Sequence, residues 1–553
     1  MVRRSKVSPQ ARASIRSGLC IAAPLVIGLV TNQRVIAIFV AIGALWAVSQ
    51  DGVDRWRDRG ARLVGVAVCG GIGTSLGALE LHWIAGSWQL WIFLGGAALV
   101  AGLIETTFIA PPGMYFLLGA ILGSGLRTST YTFQPGLYIA CGALAVALVA
   151  MATDRRTREQ DQRLCLADAF AALSALMAAI GQRGASEVRP QAVFALDVAQ
   201  SALSTTHRGA RSTSPEAVAL RDCFLVALQV GELSAVMNRR AIKPDPAFCS
   251  ALSEVATTLR HRSATAARAE LQELATRIPS AQHTPQSAQY AQALRPTFQT
   301  SIEVPPVPPS TLERLPVADR FRFAVLLCAA TVAAAALTHR IDGPHAFWLP
   351  LSVAFILRPD LGPVIPRAAA RTAGTLAGVG LAAVVTRLGN SPVSLVVLCA
   401  VLAAIVPLTS KRSHALTVFV FTPIVFVFLS VLGPDQTLFF PRIIDTVLAA
   451  GIVLAIDGVL WTRAPSLRPA QQLARAEKAV ERYETSTDVV GPESRHQLRR
   501  NALRATSHAR AGLHQAQKEP HPLRRGDGTL IERIDDLELR IDERTALIAG
   551  FVT

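Results

Sequence analysis

The sequence predicts an all-α polytopic membrane protein: two parallel six-helix transmembrane repeats, a cytoplasmic helical bundle between them and a helical C-terminal arm. Three observations carry this. The 553 residues are 51% hydrophobic with a mean hydropathy of +0.36, too apolar for an ordinary soluble protein. The apolarity is concentrated in residues 15–153 and 321–462, whereas 154–320 and 463–553 read as water-exposed. One pattern also occurs twice, 309 residues apart: Asp51, Arg62, Gly65 and Gly142 recur as Asp360, Arg371, Gly374 and Gly451. Two membrane blocks on one plan are the mark of a duplicated transporter or channel.

A charge-poor run of about 18 residues or more can cross a bilayer, and in lipid it must be helical to satisfy its own backbone. The first block, 1–153, holds six apolar runs, several of them shorter than this, at 15–30, 35–49, 61–79, 90–104, 107–125 and 137–153. The second, 314–462, holds six more, at 321–337, 346–357, 368–385, 393–408, 415–432 and 443–460. The first run follows Arg3, Arg4, Lys6, Arg12 and Arg16, as the apolar part of a signal peptide would. No small-x-small cleavage site separates it from the run beginning at Val35, so it reads as the first membrane helix.

Lysine and arginine in short loops set the orientation. With the N-terminus inside, the cytoplasm receives Arg55, Arg57, Arg59, Arg62, Arg155, Arg158, Arg358, Arg367, Arg371, Lys411, Arg412 and Arg463. The other side keeps only Arg34, Arg127, Arg340, Arg387 and Arg442. Both termini and the central arm are therefore expected in the cytoplasm. Six spans per block give the two copies one orientation, with a permeation route expected between them. Arginine outnumbers lysine about tenfold, which suggests a GC-rich bacterial genome.

Residues 154–278 carry apolar residues at helical spacing, such as Leu164, Ala167, Ala171 and Leu220, Phe224, Leu228. Four or five bundled helices are expected, one starting at Ser214-Pro215-Glu216 with proline in the first turn. A linker over 279–313, rich in Pro305, Pro306, Pro308 and Pro309, favours extended chain. The tail, 463–553, predicts two or three helices that pack on the bundle, or else a spacer or oligomerisation surface.

The net charge of +16 is assigned to topology and to arms near anionic lipid. The basic residues are scattered without stacking aromatics, which argues against nucleic acid. Eight cysteines show no C-x-x-C spacing and read as small apolar fillers, with no metal site and no cofactor expected. No G-x-x-x-x-G-K-[ST] loop is present to bind ATP. The arms hold no H-E-x-x-H, no G-x-S-x-G and no paired-carboxylate site, so an enzyme or membrane scaffold ranks below a transporter.

In the second block, Phe347-Trp348-Leu349-Pro350-Leu351-Ser352-Val353 is followed by Arg367-Ala-Ala-Ala-Arg371-Thr372-Ala373-Gly374-Thr375-Leu376-Ala377-Gly378. This pairing of W-x-P-L-x-V with R-x-x-x-R-x-x-G-T-x-x-G resembles the fusaric acid resistance and aromatic acid exporter family. Thr422-Pro423 and Arg442-Ile-Ile-Asp445-Thr446 look like that family too. The first block matches more weakly: Arg59 is one residue out of register and Val66 replaces the threonine. The resemblance implies an inner-membrane exporter of organic, often aromatic, acids. It extends to plant malate channels, so a proton-coupled exporter and a passive anion channel both stand as readings.

The candidate pathway residues are Arg62, Arg371, Pro112, Thr422, Pro423 and Trp348. A guanidinium at an inner mouth would orient a carboxylate by paired hydrogen bonds; the alternative is a topology anchor paired with Asp51 or Asp360. Gly374 and Gly378 form a small-x-x-x-small ridge that suits helix packing, with Gly65 as the first-half counterpart of Gly374. Pro111-Pro112-Gly113 and Thr422-Pro423 are expected to interrupt the fifth span of each half, the former alternatively being a turn between helices. Asp457, deep in the last span, is the candidate proton carrier, or else a carboxylate reaching Arg463 or water. Asp445 is its second candidate, or a local ion pair with Arg442. Glu105 and His414 read as loop residues, or as gating groups. The expected partners are a small organic anion, a proton, the lipid bilayer and a possible second copy of the chain.

Overall fold

The computed structural model describes residues 9–51, 56–83, 87–104, 112–125, 133–153, 158–182, 185–204, 214–281, 317–341, 347–357, 364–389, 391–409, 413–432, 439–460, 468–486, 492–517 and 528–548. Among them it is all-helical. The first six helices are α1 (Pro9–Val30), α2 (Arg34–Ser49), α3 (Trp56–Trp83), α4 (Ser87–Ile104), α5 (Pro112–Gly125) and α6 (Gln134–Thr153). Five follow in the central arm: α7 (Arg158–Ala179), α8 (Ala185–Ser204), α9 (Pro215–Arg239), α10 (Pro246–His261) and α11 (Ala264–Ala281). The second apolar block forms α12 (Val317–Ile341), α13 (Trp348–Ile356), α14 (Val364–Leu388), α15 (Pro392–Thr409), α16 (His414–Leu432) and α17 (Phe439–Leu460). The tail forms α18 (Arg468–Ser486), α19 (Pro492–Gln517) and α20 (Gly528–Ile548).

The chain divides into two compact units, residues 1–155 with 312–462 and residues 156–311 with 463–553. In the first unit all twelve helices lie where the apolar runs fall. Eight are long and apolar enough to cross a membrane, and α2, α4 and α5 are shorter apolar helices. Helix α13 departs from expectation: at 9 residues it rises about 14 Å, under half of an about 30 Å hydrocarbon core. It ends at Leu357, whose backbone is extended at φ −78° and ψ 113°.

One hydrophobic core runs through both blocks of this unit. Within each block the third helix packs on the fifth and sixth, and the second on the sixth: α3 on α5 and α6, α14 on α16 and α17, α2 on α6, α13 on α17. Between blocks the first helix of each packs on the fourth of the other, α1 on α15 and α12 on α4. Both crossings are close because a glycine makes them. A Cβ on Gly18 would stand 2.8 Å from Ala400 O, and one on Gly102 2.5 Å from Ala324 Cα. Large apolar side chains remain exposed on the outer helices, among them Leu19, Ile27, Ile92, Leu148, Val397 and Phe440, a surface suited to lipid.

The second unit has two cores. Leu166, Phe170, Leu173, Phe224, Leu252 and Leu259 belong to the core of the central bundle, and Leu473, Val480, Tyr483, Ile534 and Ile541 to that of the tail. Residues 159–179 of α7 are also apolar enough to span a membrane. Their apolar side chains instead fill the bundle core. Ser214 caps α9 as expected, its Oγ accepting from Ala217 N at 3.1 Å with Pro215 in the first turn. Glu216 reaches across to accept from Ala264 N and Thr265 N, closing the start of α11. Helix α11 continues to Ala281, past the expected start of the linker at Pro279; the four linker prolines lie outside the described residues.

The tail packs on the central bundle through α20 against α9 and α19 against α8. Buried charges join them. Arg189 donates to both carboxylate oxygens of Asp542 at 3.0 and 2.6 Å, and Asn238 Nδ2 adds a bond at 3.0 Å. Burial works against the Arg189 cation, but Asp542 and Glu538 outweigh it and its pKa rises. Such a pair contributes little net stability when whole and costs heavily when halved.

Candidate functional site

The short helix α13 supplies a three-residue stripe. Trp348, Ser352 and Phe355 are spaced i, i+4 and i+7, so they share one helical face. Two arginines from neighbouring helices meet that stripe. Arg442 of α17 places its guanidinium carbon 5.1 Å from the Trp348 ring centroid, and its Nη1 donates to Ser352 Oγ at 3.3 Å. Arg371 of α14 lies over the Phe355 ring at 4.4 Å. The arginines are only 7% and 6% exposed. Trp348 packs edge-on to Phe426 of α16 at 6.0 Å, and Phe426 stacks near Phe439 at 4.8 Å. A guanidinium laid on an aromatic face is held in one plane, and a planar fork is what a carboxylate pairs with bidentately.

The first block uses its charges differently. Asp51, at the C-terminal end of α2, has a side chain only 2% exposed that bridges two arginines. Arg16 of α1 donates to Asp51 Oδ2 and Arg59 of α3 to Oδ1, the latter at 2.5 Å. Arg16 also reaches Thr153 Oγ1 at 3.2 Å, and Arg59 reaches Ala150 O at 3.5 Å, both on α6. Arg62 Nε donates instead to Gln50 O at 3.0 Å. The Asp51 carboxylate itself binds Arg16 and Arg59. Asp360 lies outside the described residues.

The fifth helices also differ. Helix α5 begins at Pro112, whose side chain lies outside the described residues along with Pro111. The expected break of the first-half span at Pro111-Pro112 falls at this edge, since residues 105–111 lie outside the described residues. Pro423 lies inside α16, which runs unbroken from His414 to Leu432. Its missing N–H leaves Phe419 O without the usual helical donor. Gly378 faces this place: an added Cβ would stand 2.9 Å from Phe419 O and 2.7 Å from Thr422 Cβ. Thr422 Oγ1 turns back to Val418 O at 2.9 Å. Gly374 meets Ala415 O in the same crossing, whereas Gly65, its counterpart, has nothing within 4 Å.

Both acids of the last span lie on α17. Asp445 is half-buried, one turn beyond Arg442. Asp457 falls twelve residues further along the same helix, about 18 Å at 1.5 Å per residue, and its side chain is outside the described residues. His414 opens α16, and Glu105 is outside the described residues. Gly73-Thr74-Ser75-Leu76-Gly77 has the spacing of a nucleophile elbow but sits within α3, where Gly73 and Gly77 seat the backbone of α5. An elbow needs a strand-to-helix turn, so this serine has no such role. Among the described residues no cluster of His, Cys, Asp or Glu could hold a metal ion.

Sequence reasoning missed Ser352 and Phe355 as a platform and Arg16 and Arg59 as partners of Asp51. The i, i+4, i+7 spacing could have revealed the first. Nothing local could reveal the second, since Arg16 is 35 residues from Asp51.

Residues 328–456, from within α12 to within α17, match a family described as fusaric acid resistance protein-like. No curated protein and no solved structure matches the chain.

Proposed function

We propose that this multi-pass membrane protein, whose second half is fusaric acid resistance protein-like, exports organic carboxylate anions across a bacterial inner membrane. The observation that carries the reading is the pair of buried arginines stacked on the α13 aromatics, inside the region matched to that family. A cargo with an aromatic body and a carboxylate suits this lining, its ring against Trp348 or Phe355 and its carboxylate on a guanidinium.

The matched helix pairs within each half support a duplicated scaffold with one orientation and the route at the junction of the halves. Both termini and the arms then face the cytoplasm, by the arginine bias of the loops. Export is driven by protons entering as the anion leaves. Asp457 is the proposed carrier, since an acid within a membrane helix is costly unless it is used. Asp445 is the alternate. Pro423 gives α16 a flexible point against Gly378, where gating would be cheap.

The test is uptake of radiolabelled benzoate into inverted vesicles. An acid lumen should drive accumulation, and a protonophore should abolish it. Equal uptake with and without the gradient would make the protein a passive channel; no uptake would end the transport reading. Asp457→Asn should insert normally and uncouple uptake from the gradient. Arg371→Ala should weaken benzoate transport more than that of neutral benzamide.

A further inference from the structure

The arm unit contains a cavity of about 180 Å³ between α7, α8 and α9 of the central bundle and α19 and α20 of the tail. We propose that it is a second ligand site, for a small carboxylate with an apolar body the size of one aromatic ring. Size sets the upper bound. An engineered apolar cavity of about 150 Å³ accommodates benzene, so this one takes a single ring and no nucleotide.

The lining divides into two chemistries. Leu173, Leu196 and Phe224 supply an apolar wall, while Arg499, Arg500 and the amide of Gln229 supply a polar one. Counted over the lining, three arginines face two carboxylates, Glu232 and Asp542. Both carboxylates are engaged: Asp542 by Arg189, and Glu232 by Arg499 at 3.7 Å. Arg499 also donates to Gly231 O at 2.9 Å.

The surplus cation is Arg500. Its Nε lies 3.2 Å from Asp197, but Arg504 holds the same carboxylate at 2.7 Å, so one acid serves two arginines. Burial, with Arg504 adding to it and Asp197 opposing, lowers the Arg500 pKa. A largely buried cation that shares its one carboxylate with a second arginine is what a carboxylate ligand would stabilise. Gln229 Oε1, buried in the same wall, has no hydrogen-bond partner among the described residues and could accept from a ring hydroxyl.

Because the walls come from both central bundle and tail, an occupant would fasten one to the other. The assignment does not depend on which cargo the membrane helices carry. It is tested on the full chain in nanodiscs by photolabelling with 4-azidobenzoate and mapping the labelled peptides. Label is expected in peptides spanning 220–235 and 497–503, displaced by benzoate and not by benzamide. Arg500→Gln, and Leu196→Trp to fill the cavity, should each cut it by about tenfold or more, given the usual strength of charged hydrogen bonds and the lost volume. Arg371→Ala should leave it unchanged, which separates this site from the membrane pathway. Label confined to the membrane helices, equal displacement by benzamide, or undiminished label in both arm variants would overturn the proposal.

Discussion

In the first membrane half the charges beside the third helix are spent on one another: Asp51 sits between Arg16 and Arg59, out of water. In the second half Arg371 and Arg442 lie against the rings of Phe355 and Trp348. Glycine use diverges as well. Gly142 and Gly451 occupy the same place in the repeated pattern, yet a Cβ on Gly142 would stand 1.9 Å from Val40 O and one on Gly451 would meet nothing within 4 Å. The principal helix pairs are the same in both halves, while the side chains between them are not. Backbone packing and side-chain chemistry are thus separable: in one half the buried arginines pair with a carboxylate, in the other they lie against aromatic rings.

The sharpest way to break this contrast is to remove that carboxylate. Asp51→Ala should strand two buried arginines and lower stability by about 3–5 kcal/mol, against a smaller loss for half-buried Asp445→Ala. Thermal unfolding of the purified protein would measure both; equal losses would mean that Asp51 holds no more than Asp445 does. Next is the glycine pair. Gly142→Ala should cost about 1–3 kcal/mol by forcing α6 off α2, whereas Gly451→Ala should be neutral or add up to about 1 kcal/mol of helix propensity.

Two smaller effects would sharpen the functional side. Phe355→Leu removes the ring beneath Arg371 and should weaken carboxylate binding by about 0.5–2 kcal/mol, or roughly 2- to 30-fold. Trp46→Leu, at the matching place in α2, should leave cargo affinity alone, because Trp46 packs on Tyr115 instead. Competition binding with benzoate would compare the two. Ser352→Ala frees Arg442 from its hydroxyl partner and should change binding by no more than about 1.5 kcal/mol.

Much of the fold was legible because its signals are local. Apolar runs gave twelve helices, and Ser214-Pro215 gave the start of α9 to the residue. What stayed hidden depends on distant parts of the chain or on register. Arg16 reaches Asp51 across 35 residues, and Arg442 reaches Ser352 across 90. The proline signal at Pro423 was real but did not end the helix, since Pro423 sits within α16 from His414 to Leu432. Loop charge marked Arg62 and Arg371 alike, yet one donates to a backbone carbonyl and the other lies on a ring.

The crossing of α1 with α15 and of α12 with α4 also bears on how the polypeptide is made. Synthesis delivers α1 and α4 first, and each must wait in the bilayer for a neighbour encoded more than two hundred residues downstream. Insertion of the newborn chain is therefore not finished half by half: α1 and α4 gain these neighbours only once α15 and α12 of the second half have arrived.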